Sequence, residues 1–285
     1  MKILVTGHLG LVGTETCKQL KERGHEIIGY DIMEGNDIRD YNRLKSVFLM
    51  HQPDRVLHLA AVARMDEADR DPVLAYETNV NGTKNVAKLC EELKIPLVHA
   101  STGSCYAPLK GTPPITEDFK LSGAAPYGCS KTVADLIVQD MKTPWIVLRY
   151  AHIYGPEKRH RGLIGNFVYR IKHDMEPVLY GGKQSNDFIY LKDVGLANVV
   201  ALEASFEKYH HAYNVGTGEE LTAEQAGQAI CDLMGYDGEI KITDPRNCDI
   251  ERFFYDMSKA NNKLGFRHKY SFKDGLNDMK EAFND

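Results

Sequence analysis

The chain has 285 residues, of which 43% are hydrophobic and 26% are charged, and its net charge at pH 7 is −5. This length suffices for one large domain or for a domain with an added lobe. The mildly acidic balance disfavours nucleic acid or an anionic membrane as a partner. We therefore expect any anionic ligand to be held by local cations and backbone amides.

Six cysteines are scattered along the chain without a CxxC pair, and the first residues already have the pattern of a strand. This predicts free thiols, no metal site, and a cytoplasmic protein without a presequence. No apolar run is long enough to cross a bilayer.

Apolar strands alternate with helical patterns through the first half of the chain. In chain order we predict a strand at 2–6, a helix at 11–23, a strand at 25–30, a helix at 41–51, a strand at 55–59, a helix at 72–93, a strand at 96–100, a helix at 126–141 and a strand at 145–149. Continuous apolar strands joined by helices indicate an α/β fold, here a Rossmann-type doubly wound parallel sheet covered on both faces.

In the second half of the chain, glycine and proline become more frequent and the alternation weakens. We predict that residues 1–156 form the Rossmann domain and that 184–216 return to its sheet, because Tyr213-Asn-Val-Gly216 resembles a strand that ends at a ligand-facing loop. Residues 157–183 and 217–285 are predicted to form a smaller C-terminal α/β lobe that binds substrate.

A glycine-rich loop, Thr6-Gly-His-Leu-Gly-Leu-Val-Gly13, joins the first predicted strand to the first helix. In a dinucleotide-binding βαβ unit, Gly7 permits the tight turn, Gly10 lets the backbone approach a pyrophosphate, and Gly13 allows the helix to pack closely. Asp31 ends the second strand, where a carboxylate can bind both ribose hydroxyls and repels a 2′-phosphate. Loop and carboxylate together predict NAD rather than NADP as the cofactor.

Two segments near this loop have more than one interpretation. Asp37 and Ile38 could contact the adenine amino group and ring, or Asp37 could simply cap a helix. His58-Leu-Ala-Ala61 ends the third strand, where small residues would let the nicotinamide ribose pass, although they serve packing equally well.

A tyrosine and a lysine, Tyr127 and Lys131, open the predicted helix at 126–141 and lie on one helical face because they are four residues apart. A phenol has a pKa of about 10, and a nearby ammonium together with the nicotinamide charge favours the phenolate. Thr102 follows the fourth strand and could orient a substrate hydroxyl. The three residues predict proton and hydride transfer at an alcohol, whereas a Tyr/Lys pair alone would be an ordinary solvated helix face.

These motifs give a family resemblance. The TGxxGxxG loop, the hydroxyl residue at a strand end and the YxxxK helix resemble the extended short-chain dehydrogenase/reductases, in particular the NAD-dependent nucleotide-sugar epimerase/dehydratase family. Further matching segments are 79–83, 149–156, 187–193, 213–216 and 256–260. The resemblance covers nearly the whole chain and implies a Rossmann fold, bound NAD, and a nucleotide-diphosphate sugar in the C-terminal lobe.

The resemblance also implies the ligand contacts. The predicted catalytic residues are Thr102, Tyr127 and Lys131. The residues predicted to contact NAD are Gly7, Gly10, Leu11, Val12, Gly13, Asp31, Ile32, Asp37, Ile38, Leu59, Ala60, Ala61, Asn79, Tyr127, Lys131, Tyr150 and His152. Those predicted to contact the sugar nucleotide are Arg64, Ser104, His152, Asn166, Asn186 and Arg246, and for any single cation a surface role is the alternative.

The chain departs from the family pattern at the positions that separate its reactions. Dehydratases carry Asp-Glu directly after the catalytic threonine, where this chain has Gly103 and Ser104, so dehydration is disfavoured. Cys105 could act as an acid or base after a register shift, but a packed and inert thiol is the better interpretation. Asn186 stands where the family often has an arginine, and His152 where it often has an asparagine, so the usual diphosphate clamp lacks a cation.

Three functional hypotheses follow. The first is an NAD-dependent epimerase that acts on a nucleotide-diphosphate sugar through a transient keto sugar. The second is a net nucleotide-sugar dehydrogenase or ketoreductase, suggested by the short segment between Asp31 and Asp37. The third is a non-catalytic NAD-binding protein, which the intact Tyr/Lys/Thr set disfavours. The resemblance further implies a homodimer formed by the helices at 72–93 and 126–141.

Overall fold

The computed structural model describes residues 1–106, 113–156, 162–244 and 251–283. The strands are β1 Lys2–Thr6, β2 Glu26–Tyr30, β3 Arg55–His58, β4 Leu97–Thr102, β5 Trp145–Tyr150, β6 His152–Tyr154, β7 Val178–Tyr180, β8 Ser185–Asn186, β9 Phe188–Tyr190, β10 His211–Val215, β11 Leu221–Thr222 and β12 Lys241–Thr243. The α-helices are α1 Leu11–Glu22, α2 Tyr41–His51, α3 Met65–Arg70, α4 Pro72–Tyr76, α5 Thr83–Leu93, α6 Ala125–Gln139, α7 Gly162–Lys172, α8 Leu191–Leu202, α9 Ala223–Met234 and α10 Phe272–Asp278.

Six parallel strands form the central sheet in the order β10-β5-β4-β3-β1-β2. This confirms the predicted Rossmann-type fold. The chain leaves β1 toward β2 on one side and then crosses to β3 on the other, so the direction of winding reverses between β1 and β3. In such sheets the ligand crevice lies outside the carboxyl ends of the strands at this reversal.

Alternating side chains of each strand supply two hydrophobic layers, one on each face of the sheet. On β1, Ile3 and Val5 enter the layer that contains residues of α1 and α8, whereas Leu4 enters the layer that contains residues of α2, α5 and α6. Both layers are buried, so the strands read as continuous apolar runs, and their ends are held rigidly where a ligand would approach.

A third cluster of buried side chains forms the core of the C-terminal region, with residues from α7, α9 and α10 around Phe188 and Tyr190 of β9. Three short strand pairs lie outside the central sheet: β6 with β9, β8 with β11, and β7 with β12. The Tyr154 ring lies 5.3 Å from that of Tyr190 and 5.1 Å from that of Phe272. This packing holds the carboxyl end of β6 beside the second lobe.

The helix predicted at 72–93 is divided into α4, a π-helical segment Glu77–Gly82, and α5. Asn79 lies in the π segment with no exposed surface, and its amide bonds to both backbone groups of Val62. The wider π turn allows this polar side chain to face inward, and such turns are frequent at functional sites. Within the described ranges, no helix is both long and apolar enough to cross a membrane.

Candidate active site

The glycine loop wraps tightly against the carboxyl end of β3. A Cβ atom on Gly7 would lie 2.8 Å from the Ala60 nitrogen, and one on Gly13 would lie 2.2 Å from the Gly7 carbonyl oxygen. Gly7 also has a positive φ of 75°. Only glycine fits at these two positions, and the consequence is a backbone cradle at the start of α1.

The first turn of α1 is open to an anion. Gly10 provides no side-chain cap, and the turn contains no acidic residue. The first backbone N–H groups of a helix lack intrahelical acceptors and carry partial positive charge. The cradle and these donors fit the pyrophosphate of a dinucleotide, the contact predicted for Leu11, Val12 and Gly13.

Asp31 lies at the end of β2, 6% exposed, beside the same loop. One of its carboxylate oxygens accepts from the Leu9 amide at 3.0 Å and the other from the Met33 amide at 2.9 Å. These bonds fix the carboxylate at the edge of the crevice, where the ribose of a dinucleotide is expected. The neighbouring Ile32 is 61% exposed in the turn that follows. The residues present therefore fit NAD.

The two residues predicted to contact adenine are already engaged. Both oxygens of the Asp37 carboxylate accept from the side chain of Arg39, and this bonding lowers the pKa of Asp37. Ile38 is 4% exposed and packs where a Cβ of Gly82 would meet its side chain. The core thus covers the Ile38 side chain almost entirely. Its contact with adenine stays a prediction.

Asn79, for which a contact with NAD stays a prediction, makes three side-chain hydrogen bonds within the protein. Besides its bonds to Val62, its Nδ2 donates to Ser130 Oγ at 3.0 Å, and that hydroxyl donates to the Tyr127 carbonyl at 2.9 Å. Asn79 therefore ties the segment after Leu59, Ala60 and Ala61 to the first turn of α6. Its geometry is that of a positioning residue.

Thr102 and Tyr127 come together at the carboxyl end of β4, where the Thr102 hydroxyl acts to lower the pKa of Tyr127. Thr102 Oγ1 also accepts from the Ser104 amide at 3.2 Å. Tyr150 lies beside Thr102 in the sheet register, but its hydroxyl donates to Asn198 Oδ1 at 2.5 Å, so its polar end points away from this hydroxyl pair. The structure thus brings together two of the three predicted catalytic side chains.

Lys131 does not lower the pKa of Tyr127 as the sequence suggested. Its Nζ donates to the Ala100 carbonyl at 2.7 Å, and burial raises the pKa of Tyr127 to about 12, with the Thr102 hydrogen bond acting in the opposite direction. The reason is that burial penalises a phenolate more than one neutral hydroxyl stabilises it. A phenolate at this site therefore requires further positive charge, which an oxidised nicotinamide carries.

Burial also lowers the pKa of Lys131 to about 8 from 10.5, although Cys105 and Asp135 oppose this shift. Between pH 8 and 10.5 the unfolded chain keeps a proton that the folded chain has released, so stability rises with pH in that window. We expect a gain on the order of 1 kcal/mol from about pH 7.5 to about pH 9 relative to Lys131→Met. Urea unfolding of both proteins without NAD measures it, and equal pH dependence would contradict the assignment.

The surroundings of Gly103 and Cys105 explain how the chain differs from the family pattern after Thr102. A Cβ on Gly103 would lie 2.4 Å from Phe253 Cζ and 2.8 Å from the Tyr255 hydroxyl, so an acidic side chain at this position has no room. Cys105 has no exposed surface, its Sγ lies 3.4 Å from Ser101 Oγ, and burial raises its thiol pKa. The thiol is packed and protonated, which agrees with the inert interpretation.

The predicted sugar-nucleotide residues are spread over both lobes. His152 is exposed, with its ring 5.1 Å from that of Phe188, and its backbone amide donates to the Asp187 carbonyl at 2.9 Å. Asn186 is partly buried on β8, and Asn166 is exposed on α7. Arg64 precedes α3, with its Nε 3.6 Å from Asp66 Oδ1. Arg246 lies outside the described residues.

Arg252 is a candidate substitute for the missing cation at Asn186, because residues 185 and 252 form a bridge between their backbones. Its guanidinium, however, donates twice to Glu220 at 2.6 Å, and Glu220 also accepts from Ser185 Oγ at 2.6 Å. Ser185 and Asn186 point to opposite faces of their strand. Arg252 therefore sits on the face opposite to Asn186 and does not replace the lost charge.

Sequence reasoning missed the polar groups buried behind the site. His58 lies between the hydroxyls of Thr6 and Thr83, at 2.7 and 2.9 Å, and Arg149 pairs with Asp135 inside the sheet–helix interface. A signal was present: Arg149 is the one charged residue in the apolar run 145–150, and a charge in a buried strand requires a partner. Among the residues that the structure describes, no group of three or more His, Cys, Asp or Glu side chains is arranged to hold a metal.

Comparison with known proteins decides the family. Residues 3–216 match the model of the NAD dependent epimerase/dehydratase family. The chain belongs to this family. The match confirms the predicted family and NAD dependence, and it identifies the protein as an enzyme of the extended short-chain dehydrogenase/reductase type.

Individual relatives resemble the chain over nearly its full length. A putative UDP-glucose 4-epimerase from Methanocaldococcus jannaschii is 28% identical, with 96% of this chain and 95% of that protein aligned. The structure of a UDP-glucose 4-epimerase from Thermotoga maritima, solved with UDP-glucose, has a TM-score of 0.91 at 28% identity and covers 100% and 99% of the two chains. That of a Thermus thermophilus UDP-glucose 4-epimerase, complexed with NAD, has a TM-score of 0.87 at 27% identity with the same coverage.

Proposed function

We propose that this family member is an epimerase of a UDP-linked sugar that works through a transient keto sugar. The observation that carries the proposal is the Thr102–Tyr127 hydroxyl pair at the carboxyl end of β4, placed next to a backbone cradle that fits NAD. Relatives named UDP-glucose 4-epimerase, aligned over 94–97% of this chain, support the UDP-sugar class.

In this proposal the glycine loop and Asp31 would hold NAD, which would supply a reversible hydride acceptor beside the sugar carbon. Tyr127 removes the proton from the sugar hydroxyl and later gives it back, while the neighbouring Thr102 hydroxyl orients that sugar hydroxyl. Lys131, whose ammonium donates to the Ala100 carbonyl from the adjacent turn of α6, would supply a cation beside the bound cofactor. Asp31 binds the adenosine ribose.

Dehydration does not fit this geometry, because the first position of the required acid pair, Gly103, is closed and the second holds Ser104. Phe253 and Tyr255 occupy the space beside Gly103. The keto sugar would therefore find no acid that protonates a leaving hydroxyl from this turn, and the available route is return of the hydride. A net dehydrogenase or ketoreductase remains the second candidate, distinguished by whether the cofactor leaves in a changed redox state.

The test is incubation of the NAD-loaded protein with UDP-glucose, UDP-galactose, UDP-N-acetylglucosamine and UDP-glucuronate, followed by separation of the products. We expect a C4 epimer of at least one sugar with no net change in nicotinamide absorbance. Stoichiometric NADH formation without an epimer would replace this proposal by the dehydrogenase. GDP-, dTDP- and CDP-sugars are run in parallel, and turnover of these alone would reject the UDP class.

We also propose a homodimer formed by α4 and α6, which lie side by side. Five large apolar side chains of these helices are exposed: Val73 at 72%, Leu74 at 39%, Tyr76 at 40%, Val133 at 40% and Leu136 at 51%. A clustered apolar patch of this kind is typical of a protein–protein interface. We further propose a reducing cytoplasmic location, because the described cysteines are free thiols.

Replacing Leu136 by arginine is expected to split the dimer into monomers, since it places a charge in the apolar patch. Leu49→Arg is the matched control, because Leu49 is 52% exposed on α2, away from the patch. Light-scattering mass measures both variants. A monomeric wild type would reject the dimer, and a Leu136→Arg variant that stays dimeric would reject this interface.

A further inference from the structure

A buried ion pair joins α6 to β5 directly behind the proposed catalytic residues. The Arg149 guanidinium donates to the Asp135 carboxylate from Nε at 2.9 Å and from Nη2 at 3.2 Å. The two side chains are only 2% and 0% exposed. Removing two ions from water is costly, and apolar residues often replace such pairs without loss of stability. Stability alone therefore gives little reason for this pair.

The Asp135 carboxylate is linked to both elements that carry the Thr102–Tyr127 hydroxyl pair, helix α6 and strand β4. Asp135 follows Lys131 by one helical turn and Tyr127 by two, so it is fixed to the helix that carries them. It also accepts from Ser101 Oγ at 2.7 Å, and Ser101 directly precedes Thr102 on β4. One carboxylate thus connects the helix of the tyrosine to the strand of the threonine.

The guanidinium extends the same network to the turn after Thr102. Arg149 Nη1 donates to the Tyr106 hydroxyl at 2.8 Å, and that hydroxyl donates to Asn214 Oδ1 on β10 at 2.9 Å. Tyr106 ends the 3₁₀ turn Gly103–Tyr106. The strand end at Thr102 is therefore fixed from the preceding residue and from the following turn by one set of hydrogen bonds.

We propose that Asp135, together with Ser101 and Arg149, is a positioning unit that holds the Thr102 and Tyr127 hydroxyls at proton-transfer distance. The inference rests on the proposed role of Tyr127. Proton transfer requires heavy-atom separations of about 2.6–3.2 Å, and a misplacement of about 1 Å can cost on the order of a hundredfold in rate. The negative charge of Asp135 also raises the pKa of Lys131 against the effect of burial, which keeps the ammonium available.

Two variants test the unit in the full-length, NAD-loaded protein. Ser101→Ala removes only the hydroxyl that links Asp135 to β4 and leaves the buried ion pair intact, so this variant is expected to fold. It tests the unit even where Asp135→Asn is too unstable to be measured. The matched control is Asp193→Asn, because Asp193 is 1% exposed and accepts from the Lys269 and Tyr270 amides at 2.9 and 3.0 Å, outside this network.

The first readout is steady-state kinetics over a range of pH, with the UDP-sugar that the wild type turns over. We expect Ser101→Ala and Asp135→Asn to lower kcat by about tenfold or more, to change KM by less than about twofold, and to move the pH profile of kcat. Asp193→Asn is expected to lower the melting temperature while kcat and the pH profile stay as in the wild type. Folded variants with unchanged kcat and pH profile would overturn the proposal.

The second readout needs no substrate. Ultraviolet difference absorbance of tyrosinate, with the Tyr127→Phe protein as the reference, follows ionisation of this one phenol with NAD bound. We expect Ser101→Ala to raise its pH midpoint by about one unit, because a displaced phenol loses part of its stabilising contacts. A wild type without a Tyr127 signal would count against the catalytic role of Tyr127, whereas an unshifted signal in Ser101→Ala would reject the positioning unit alone.

Discussion

Replacing Tyr127 by phenylalanine is expected to lower kcat by a factor of about 10² to 10⁴ while leaving NAD bound. The variant removes only the hydroxyl that lies beside Thr102, so the proton transfer loses its acid and base. The lost transition-state stabilisation corresponds to about 3–5 kcal/mol. Product analysis with the UDP-sugar that the wild type turns over measures kcat, and the absorbance of the released nucleotide measures bound NAD.

The control for this variant is Tyr190→Phe. Tyr190 is buried in the second lobe, and its hydroxyl donates to Asp278 at 2.7 Å, so the same atom is removed from an equally bonded tyrosine outside the site. We expect this control to lose about 1 kcal/mol of stability and to keep its kcat. If Tyr127→Phe retained more than about a tenth of the wild-type kcat, Tyr127 would not be the proton-transfer residue.

A single methyl group on Gly13 should remove NAD binding and destabilise the fold. The Cβ of Gly13→Ala would lie 2.2 Å from the Gly7 carbonyl oxygen and 2.7 Å from the Cα of His8, both backbone atoms. Either the glycine loop or the start of α1 must shift. Overpacking of this kind costs about 1–3 kcal/mol or more, and the displaced loop loses its fit to the pyrophosphate. We expect NAD affinity to fall by at least about tenfold.

Gly24→Ala provides the matched control, since Gly24 lies just beyond the other end of α1. It has a φ of 78° and nothing within 4 Å of its ideal Cβ position, so alanine there meets backbone strain but no steric conflict. It should cost about 1 kcal/mol of stability and leave NAD affinity unchanged. Calorimetric titration with NAD and chemical unfolding measure both variants. Equal NAD affinities in the two would show that the close approach at Gly13 does not shape the site.

The sequence was sufficient to predict a structural feature wherever the residue type serves a single physical purpose in its local setting. The glycine loop between a strand and a helix, with Asp31 at the next strand end, predicted the cofactor class because only glycine permits such backbone approach. Continuous apolar strands predicted the parallel sheet, because both of its faces must be buried. The family of this chain followed from these features and the YxxxK helix.

The tertiary structure decided everything that depends on what lies next to a side chain. Burial leaves the pKa of Tyr127 high despite the lysine four residues later, because desolvation penalises the phenolate. Asn79 turned inward through a π-helical segment that helical periodicity does not reveal. Phe253, far away in sequence, fills the space beside Gly103 and closes it to an acid.

The sequence by itself thus determined the cofactor loop, the layered fold and the identity of the hydroxyl and ammonium groups, because these depend on backbone freedom and on local periodicity. Only the tertiary structure decided how those groups face one another and which are linked through Asp135 and Arg149. The physical reason is that hydrogen bonds, burial and steric exclusion act between residues that are adjacent in space and distant along the chain.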